Sequence, residues 1–239
     1  MSEKKIIHIG ASSAIGTEVV NYFVSKNSDL NSINITRNEN LKKDKNFFYI
    51  DSYFNTEQLF EHTVANRGDI VLLSFAHLGL TGYDRDLSKS LEIENQQTVF
   101  EVNLNQMLHT LKHSVNYLKD LGGTIIYLSS AAAYPVRISN YPYGISKKII
   151  DQTIKNLMNN EENNNINFLS VKIGYVDTPL NHGRPKTPFS TTKEEVARKI
   201  FTAYEEEISS IFVPKSLSLV TKILEVLKPL THYLDKKYT

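Results

Sequence analysis

Short apolar runs alternate along this chain with longer stretches in which apolar residues recur every three or four positions. The runs Lys5–Ile9, Ser32–Thr36, Phe47–Ile50, Ile70–Ser74, Thr124–Ser129, Asn167–Ile173 and Ile211–Val213 read as strands. The stretches Ala14–Lys26, Thr56–Asn66, Gln96–Leu121, Tyr143–Asn159 and Lys193–Glu206 read as helices packed on a sheet. Strands joined through helices lie parallel, with helices covering both faces. The expected fold class is α/β, a Rossmann-type doubly wound parallel sheet in three αβα layers. A chain of 239 residues suits one well-buried core and is short for two, so one domain over 1–239 is expected.

Composition narrows the function classes. Lys+Arg (27) nearly balance Asp+Glu (26), which leaves no broad field to attract nucleic acid or an anionic membrane. The absence of cysteine excludes disulfides, a thiol nucleophile and a thiolate zinc site, and no metal site is expected. The run Ile6-Ile7-His8-Ile9 comes too early for a signal-peptide core, and no apolar stretch reaches the roughly 18 residues of a membrane span. A cytoplasmic location is expected.

After the first strand comes Gly10-Ala11-Ser12-Ser13-Ala14-Ile15-Gly16, followed by helical pattern. Small residues at a strand-to-helix turn let backbone amides and the positive helix end approach a pyrophosphate; the competing reading is packing alone. The second strand ends Ile35-Thr36-Arg37-Asn38, with no acid where NAD enzymes place one for the ribose 2'-hydroxyl. A guanidinium at Arg37, helped by the Thr36 hydroxyl, would grip a 2'-phosphate and favour NADP (NADPH) over NAD. The alternative is a solvated arginine.

Tyr143-Gly-Ile-Ser-Lys147 puts a phenol and an ammonium on one helix face. At a separation of about 4 Å and an effective dielectric of about 20, the ammonium favours the phenolate by about 4 kcal/mol, enough to bring a pKa of about 10 towards neutrality. Upstream, Thr124–Ser130 has the form of a buried strand ending in two serines, and Asn103 is a polar residue in an apolar-patterned helix. The glycine loop, Val102-Asn103-Leu104, Leu128-Ser129-Ser130, Tyr143-x-x-x-Lys147 and Gly174-Tyr-Val-Asp-Thr178-Pro179 together resemble the short-chain dehydrogenase/reductase family in order and spacing.

The resemblance covers nearly the whole chain. It implies Tyr143 as general acid in reduction and base in oxidation, with Lys147 lowering its pKa and holding the nicotinamide ribose. It also implies Ser130 on the substrate oxygen and Asn103 holding a water on a proton path from Lys147, while Ser129 is read as facing away. Cofactor contacts are implied for Gly10, Ser12, Ser13, Ala14, Ile15, Gly16, Asp51, Ser74, Ala76, Tyr143, Lys147, Gly174, Val176 and Thr178. Asp51 would contact adenine or else cap the next helix. Ala14 stands where the family has its middle glycine, Ser74-Phe75-Ala76-His77 replaces Asn-Asn-Ala-Gly, and Ile173 replaces a proline. His77 either reaches the nicotinamide side or caps a loop.

The substrate is read from Tyr134, Arg137, Tyr141, His182 and Arg184, which suit a hydroxylated or phosphate-bearing ligand. Likeness of the Tyr127–Pro135 and Tyr141–Lys147 phrases to the nucleotide-sugar branch, and of Val213-Pro214 and the tail to a reductase of lipid-linked keto-arabinose, favours a keto-sugar derivative. Alternatives are a reductase of 3-oxoacyl or other small carbonyl compounds, or a non-catalytic NADP-binding regulator. A substrate-covering loop is expected near 181–190. The amphipathic stretch 216–238 would pack on the domain, a partner or a membrane surface, and family members commonly form homodimers or homotetramers.

Overall fold

The computed structural model describes residues 4–76, 93–137, 141–178 and 188–227. Its centre is a seven-stranded parallel sheet, order β3-β2-β1-β4-β5-β6-β7. The strands are β1 (Lys5–Ile9), β2 (Asn31–Thr36), β3 (Phe47–Tyr49), β4 (Asp69–Leu73), β5 (Gly123–Ser130), β6 (Ile166–Ile173) and β7 (Ser210–Val213). The helices are α1 (Ala14–Lys26), α2 (Thr56–His62), α3 (Ile93–Phe100), α4 (Met107–Leu118), α5 (Tyr141–Met158), α6 (Lys193–Glu205) and α7 (Leu217–Val226). This is the three-layer, Rossmann-type architecture expected.

Alternate residues of each central strand feed two cores. Ile6, Leu72, Ile126 and Leu128 pack against Val19 and Phe23 of α1 and Val196 and Ile200 of α6. Their neighbours Ile7, Val71, Ile125 and Tyr127 pack against Met107 and Leu111 of α4 and Ile150 and Ile154 of α5. Burying each such aliphatic side chain contributes about 1.5–3 kcal/mol. The near-continuous apolar character of β1, β4 and β5 follows from burial on both faces.

Local signals set the helix ends. Ser13 caps α1 by accepting from Gly16 N at 3.1 Å, and Thr192 caps α6 by accepting from Glu195 N at 3.2 Å. The helix expected over Gln96–Leu121 is not uniform: α3 runs into a π-helical turn, Glu101–Gln106, before α4. The helix expected to Asn66 stops at His62, because the backbone becomes extended at Thr63 (φ −106°, ψ 117°); Gly68 (φ +82°) then turns the chain into β4. Asn159–Asn165, expected as a plain loop, contains a 3-10 turn at Glu161–Asn163 capped by Asn160, with Asn163 buried and donating to Leu157 O.

Within the tail, Leu217 and Thr221 of α7 are buried, whereas Leu219, Ile223, Val226 and Leu227 are exposed. Residues 228–238 of the expected tail, and 181–187 of the expected covering loop, lie outside the described residues. No helix among the described residues is long and apolar enough to cross a membrane.

Candidate active site

The carboxyl ends of β1 and β4 are neighbours from which the chain proceeds in opposite directions across the sheet. Such a switch point opens a crevice for ligands. The glycine loop leaves β1 here. Gly10 has φ +97°, and a Cβ on it would lie 2.5 Å from Phe75 N. Among the described residues the amides of Ala14 and Ile15 have no protein partner. With the positive end of α1 behind them, they form an anion cradle. Ser12 is exposed in the loop, while the Ser13 hydroxyl is already engaged in capping.

Beneath the loop lies a pair that the sequence reading did not single out. His8 is fully buried, and its Nε2 is 2.8 Å from Ser74 Oγ. Ser74 Oγ also donates within reach of Gly10 O (3.0 Å) and Ile9 O (3.3 Å). With the hydroxyl proton directed at a carbonyl, His8 must donate its Nε2–H, which fixes the tautomer. Gly16 lies against both side chains, leaving no room for a Cβ. Ser74 thus ties β4 to the glycine loop.

Burial holds the His8 pKa down to about 4, with Asn34 opposing in part. Unfolded, an imidazole titrates near 6.5, so between about pH 6.5 and 4 the unfolded chain takes up a proton that the folded chain refuses. Stability contributed by neutral His8 is complete above that window and falls by about 3 kcal/mol through it. Urea midpoints at pH 7 and 4.5 check this. The drop should shrink in His8→Gln, and an equal drop in both proteins would remove His8 as its cause.

At the end of β2, Thr36 is fully buried and its Oγ1 accepts from Asn38 N at 3.0 Å. This hydrogen bond shapes the turn that carries Arg37. Arg37 lies 4.7 Å over the Tyr53 ring, which stacks on Phe75 at 3.8 Å. Its Nη1 donates to Gln106 Oε1 at 3.4 Å, and its Nε has no partner among the described residues. The residue borders an open cleft of about 640 Å³ shared with Gln97, Glu101, Asn105 and Gln106. Asp51 is exposed, and the cap of the following 3-10 turn is Ser52, not Asp51.

The other candidate residues gather across the crevice. Ser130 ends β5, and its Oγ accepts from Ala132 N at 3.1 Å. Tyr143, in the first turn of α5, is buried against Val99, Ala76 and Ala132. Gly144 lets that turn approach, since a Cβ there would lie 2.8 Å from Ala132 O. Lys147 Nζ donates to Leu128 O at 3.0 Å, 4.8 Å from the Tyr127 ring centroid and 5.8 Å from that of Tyr143. Asn103 is buried in the π-helical turn, which packs on α5. Single π turns inside α-helices are frequent at functional sites. Gly174 closes on Leu217, Val176 sits in the core and bridges to Thr191, and the Thr178 hydroxyl points back to Val176 O.

Burial lowers the Lys147 pKa to about 8, and Asp151 raises it in part. Asp151, one turn below Lys147, is missed by motif reading. Its carboxylate accepts from Ser129 Oγ (2.7 Å), Tyr134 OH (3.0 Å) and Ser170 Oγ. Ser129 therefore points towards α5, where Asp151 holds its hydroxyl. Tyr134, expected to touch substrate, instead donates to this carboxylate. Asp151 also opposes the lowering of Lys172, which burial drives. Arg137 and Tyr141 are exposed; His77, His182 and Arg184 lie outside the described residues.

Comparisons with known proteins agree with this architecture. A short-chain dehydrogenase from Burkholderia cenocepacia in complex with NADP superposes with a TM-score of 0.77 at 15% identity, covering 99% of this chain and 97% of that one. A gluconate 5-dehydrogenase from the same organism, solved with NADP and tartrate, gives 0.72 at 15% identity, covering 91% and 96%. An uncharacterized oxidoreductase of Mycobacterium tuberculosis is 27% identical over 158 residues, 64% of this chain and 61% of its own length. One of Schizosaccharomyces pombe is 32% identical over 89 residues, 37% of this chain and 35% of its own length. The chain thus spans less than two thirds of these relatives. The family model for short chain dehydrogenases matches residues 4–188, and with the switch-point crevice this establishes that the chain belongs to the short-chain dehydrogenase family.

Proposed function

We propose that this protein is an NADPH-dependent oxidoreductase that interconverts a carbonyl and a secondary alcohol. The observation that carries the reading is the placement of Tyr143, Lys147, Ser130 and Asn103 around one crevice at the carboxyl edge of the sheet. The nicotinamide, when bound, supplies the hydride. Ala14 and Ile15 amides would hold its pyrophosphate, and Arg37, with its unpartnered Nε, a 2'-phosphate. Asp51, Ser12, Ala76, Gly174, Val176 and Thr178 border the remaining path, with Gly10, Gly16, Ser13 and Ser74 shaping the loop. The NADP in both Burkholderia relatives supports the choice of cofactor.

Ser130 Oγ accepts a backbone hydrogen bond, which leaves its O–H available to donate to a substrate oxygen. Tyr143 gives its phenolic proton to that oxygen in reduction and takes it back in oxidation. Lys147 holds the charge that stabilises the phenolate, and Asn103 connects it to water. The substrate we favour is a keto-sugar derivative; the gluconate-oxidising relative supports a polyhydroxylated ligand. We also propose a single-domain homodimer or homotetramer in the cytoplasm.

Steady-state kinetics with NADPH and NADH over keto sugars, 3-oxoacyl thioesters and simple ketones tests this. Wild type should prefer NADPH, and Arg37→Leu should lose about ten- to hundredfold of that preference, as expected for charge-assisted hydrogen bonds of about 1.5–3 kcal/mol. Equal use of both cofactors by wild type would overturn the assignment. A wild type that binds NADPH but reduces nothing would favour a cofactor-sensing protein.

A further inference from the structure

Outside the crevice, the seam between α2 and α4 collects three groups that bind metals in other settings. His109 and His113 are one turn apart on α4, and Glu57 stands in the first turn of α2. One ligand-capable atom from each lies within 4.8 Å of the other two. His113 Nε2 is 3.8 Å from Glu57 Oε2, and the two imidazole rings are 4.4 Å apart. His109 Nε2 is buried and has no hydrogen-bond partner among the described residues. A buried imidazole nitrogen without a partner is costly.

We propose that Glu57, His109 and His113 form a site for one divalent transition-metal ion of the zinc class, bridging α2 and α4. Two imidazoles and one carboxylate, with water in the remaining position, suit Zn²⁺; Mg²⁺ and Ca²⁺ prefer oxygen throughout. Tetrahedral ligands at bonds of about 2.0–2.1 Å stand about 3.3 Å apart. The 3.8 Å pair is close to that spacing, and the half-exposed Glu57 side chain can close on the remaining span. Two histidines at i, i+4 already share a helix face. The ion would clip the seven-residue α2, too short to be stable alone, to the longer α4. None of the three ligands belongs to the Tyr143–Lys147 site.

Tag-free protein stripped with chelator and titrated calorimetrically with ZnCl₂ tests the site, with Co²⁺ absorption reporting the ligand field. One ion should bind, the thermal midpoint should rise, and millimolar Mg²⁺ should not compete. Loss of a direct ligand should weaken binding by more than the 10- to 100-fold typical of losing an outer partner, so His113→Ala and Glu57→Gln should each cost at least about 100-fold. Glu57 is half-exposed, so its variant keeps the fold; each variant's metal-free thermal midpoint is compared with wild type. Zn²⁺ binding weaker than about 100 µM, or equally tight binding in either folded variant, overturns the proposal.

Discussion

Tyr143→Phe is expected to lose about 10²- to 10⁴-fold in kcat, the range supplied by a positioned general acid–base group, while NADPH affinity stays within about twofold. The substitution removes one oxygen and leaves the ring that packs on Val99, Ala76 and Ala132, so the first turn of α5 keeps its place. Single-turnover rates and fluorescence titration with NADPH separate the two quantities. A variant retaining a tenth of wild-type turnover would show that the proton comes from elsewhere. Loss of activity with equal loss of NADPH binding would make Tyr143 a binding group rather than an acid.

Gly10→Ala should act by an unrelated route. At φ +97° an L-side chain is strained, and the new Cβ would press on Phe75 N, a backbone atom fixed where β4 ends. Strain and overpacking together cost on the order of 2–4 kcal/mol. Chemical denaturation should show that loss, and NADPH affinity should fall at least tenfold because the loop retreats from β4. A normal midpoint with normal affinity would mean that the loop relaxes freely. Tyr143→Phe spares stability and removes chemistry, so the pair distinguishes scaffold from reaction.

The parts of this molecule legible in its sequence are those specified locally. Ala14–Lys26 was bounded correctly because Ser13 caps one end and the apolar period persists to the other. The central strands β1, β4 and β5 were legible because burial on both faces makes them nearly continuous apolar runs. Tyr143, Lys147 and Ser130 stand out by spacing; the fold puts Ser130 at the end of β5 and Tyr143 and Lys147 in the first two turns of α5. His8 and Asp151 were not legible, since each gains meaning only from partners on distant segments: Ser74 for the first, Ser129 and Ser170 for the second. Tyr134 misled for the same reason. Its hydroxyl looks free in a sequence, yet folding commits it to Asp151. The Glu57–His109–His113 cluster escaped notice because α2 and α4 are remote in the chain.

The π-helical turn at Glu101–Gln106 carries a consequence for any change in chain length there. A π turn holds one residue more than an α turn, and each residue rotates an α-helix by about 100°. Deleting a single residue, such as Leu104, would let the segment relax into regular α-helix while α3 and α4 keep their register, because the turn absorbs the rotation of its extra residue. Val99 would stay beside Tyr143, but the side chains inside the turn, Asn103 among them, would be re-aimed. Length at this point therefore decides what the turn presents to the crevice, and shortening it by one residue would alter that without disturbing the helices on either side.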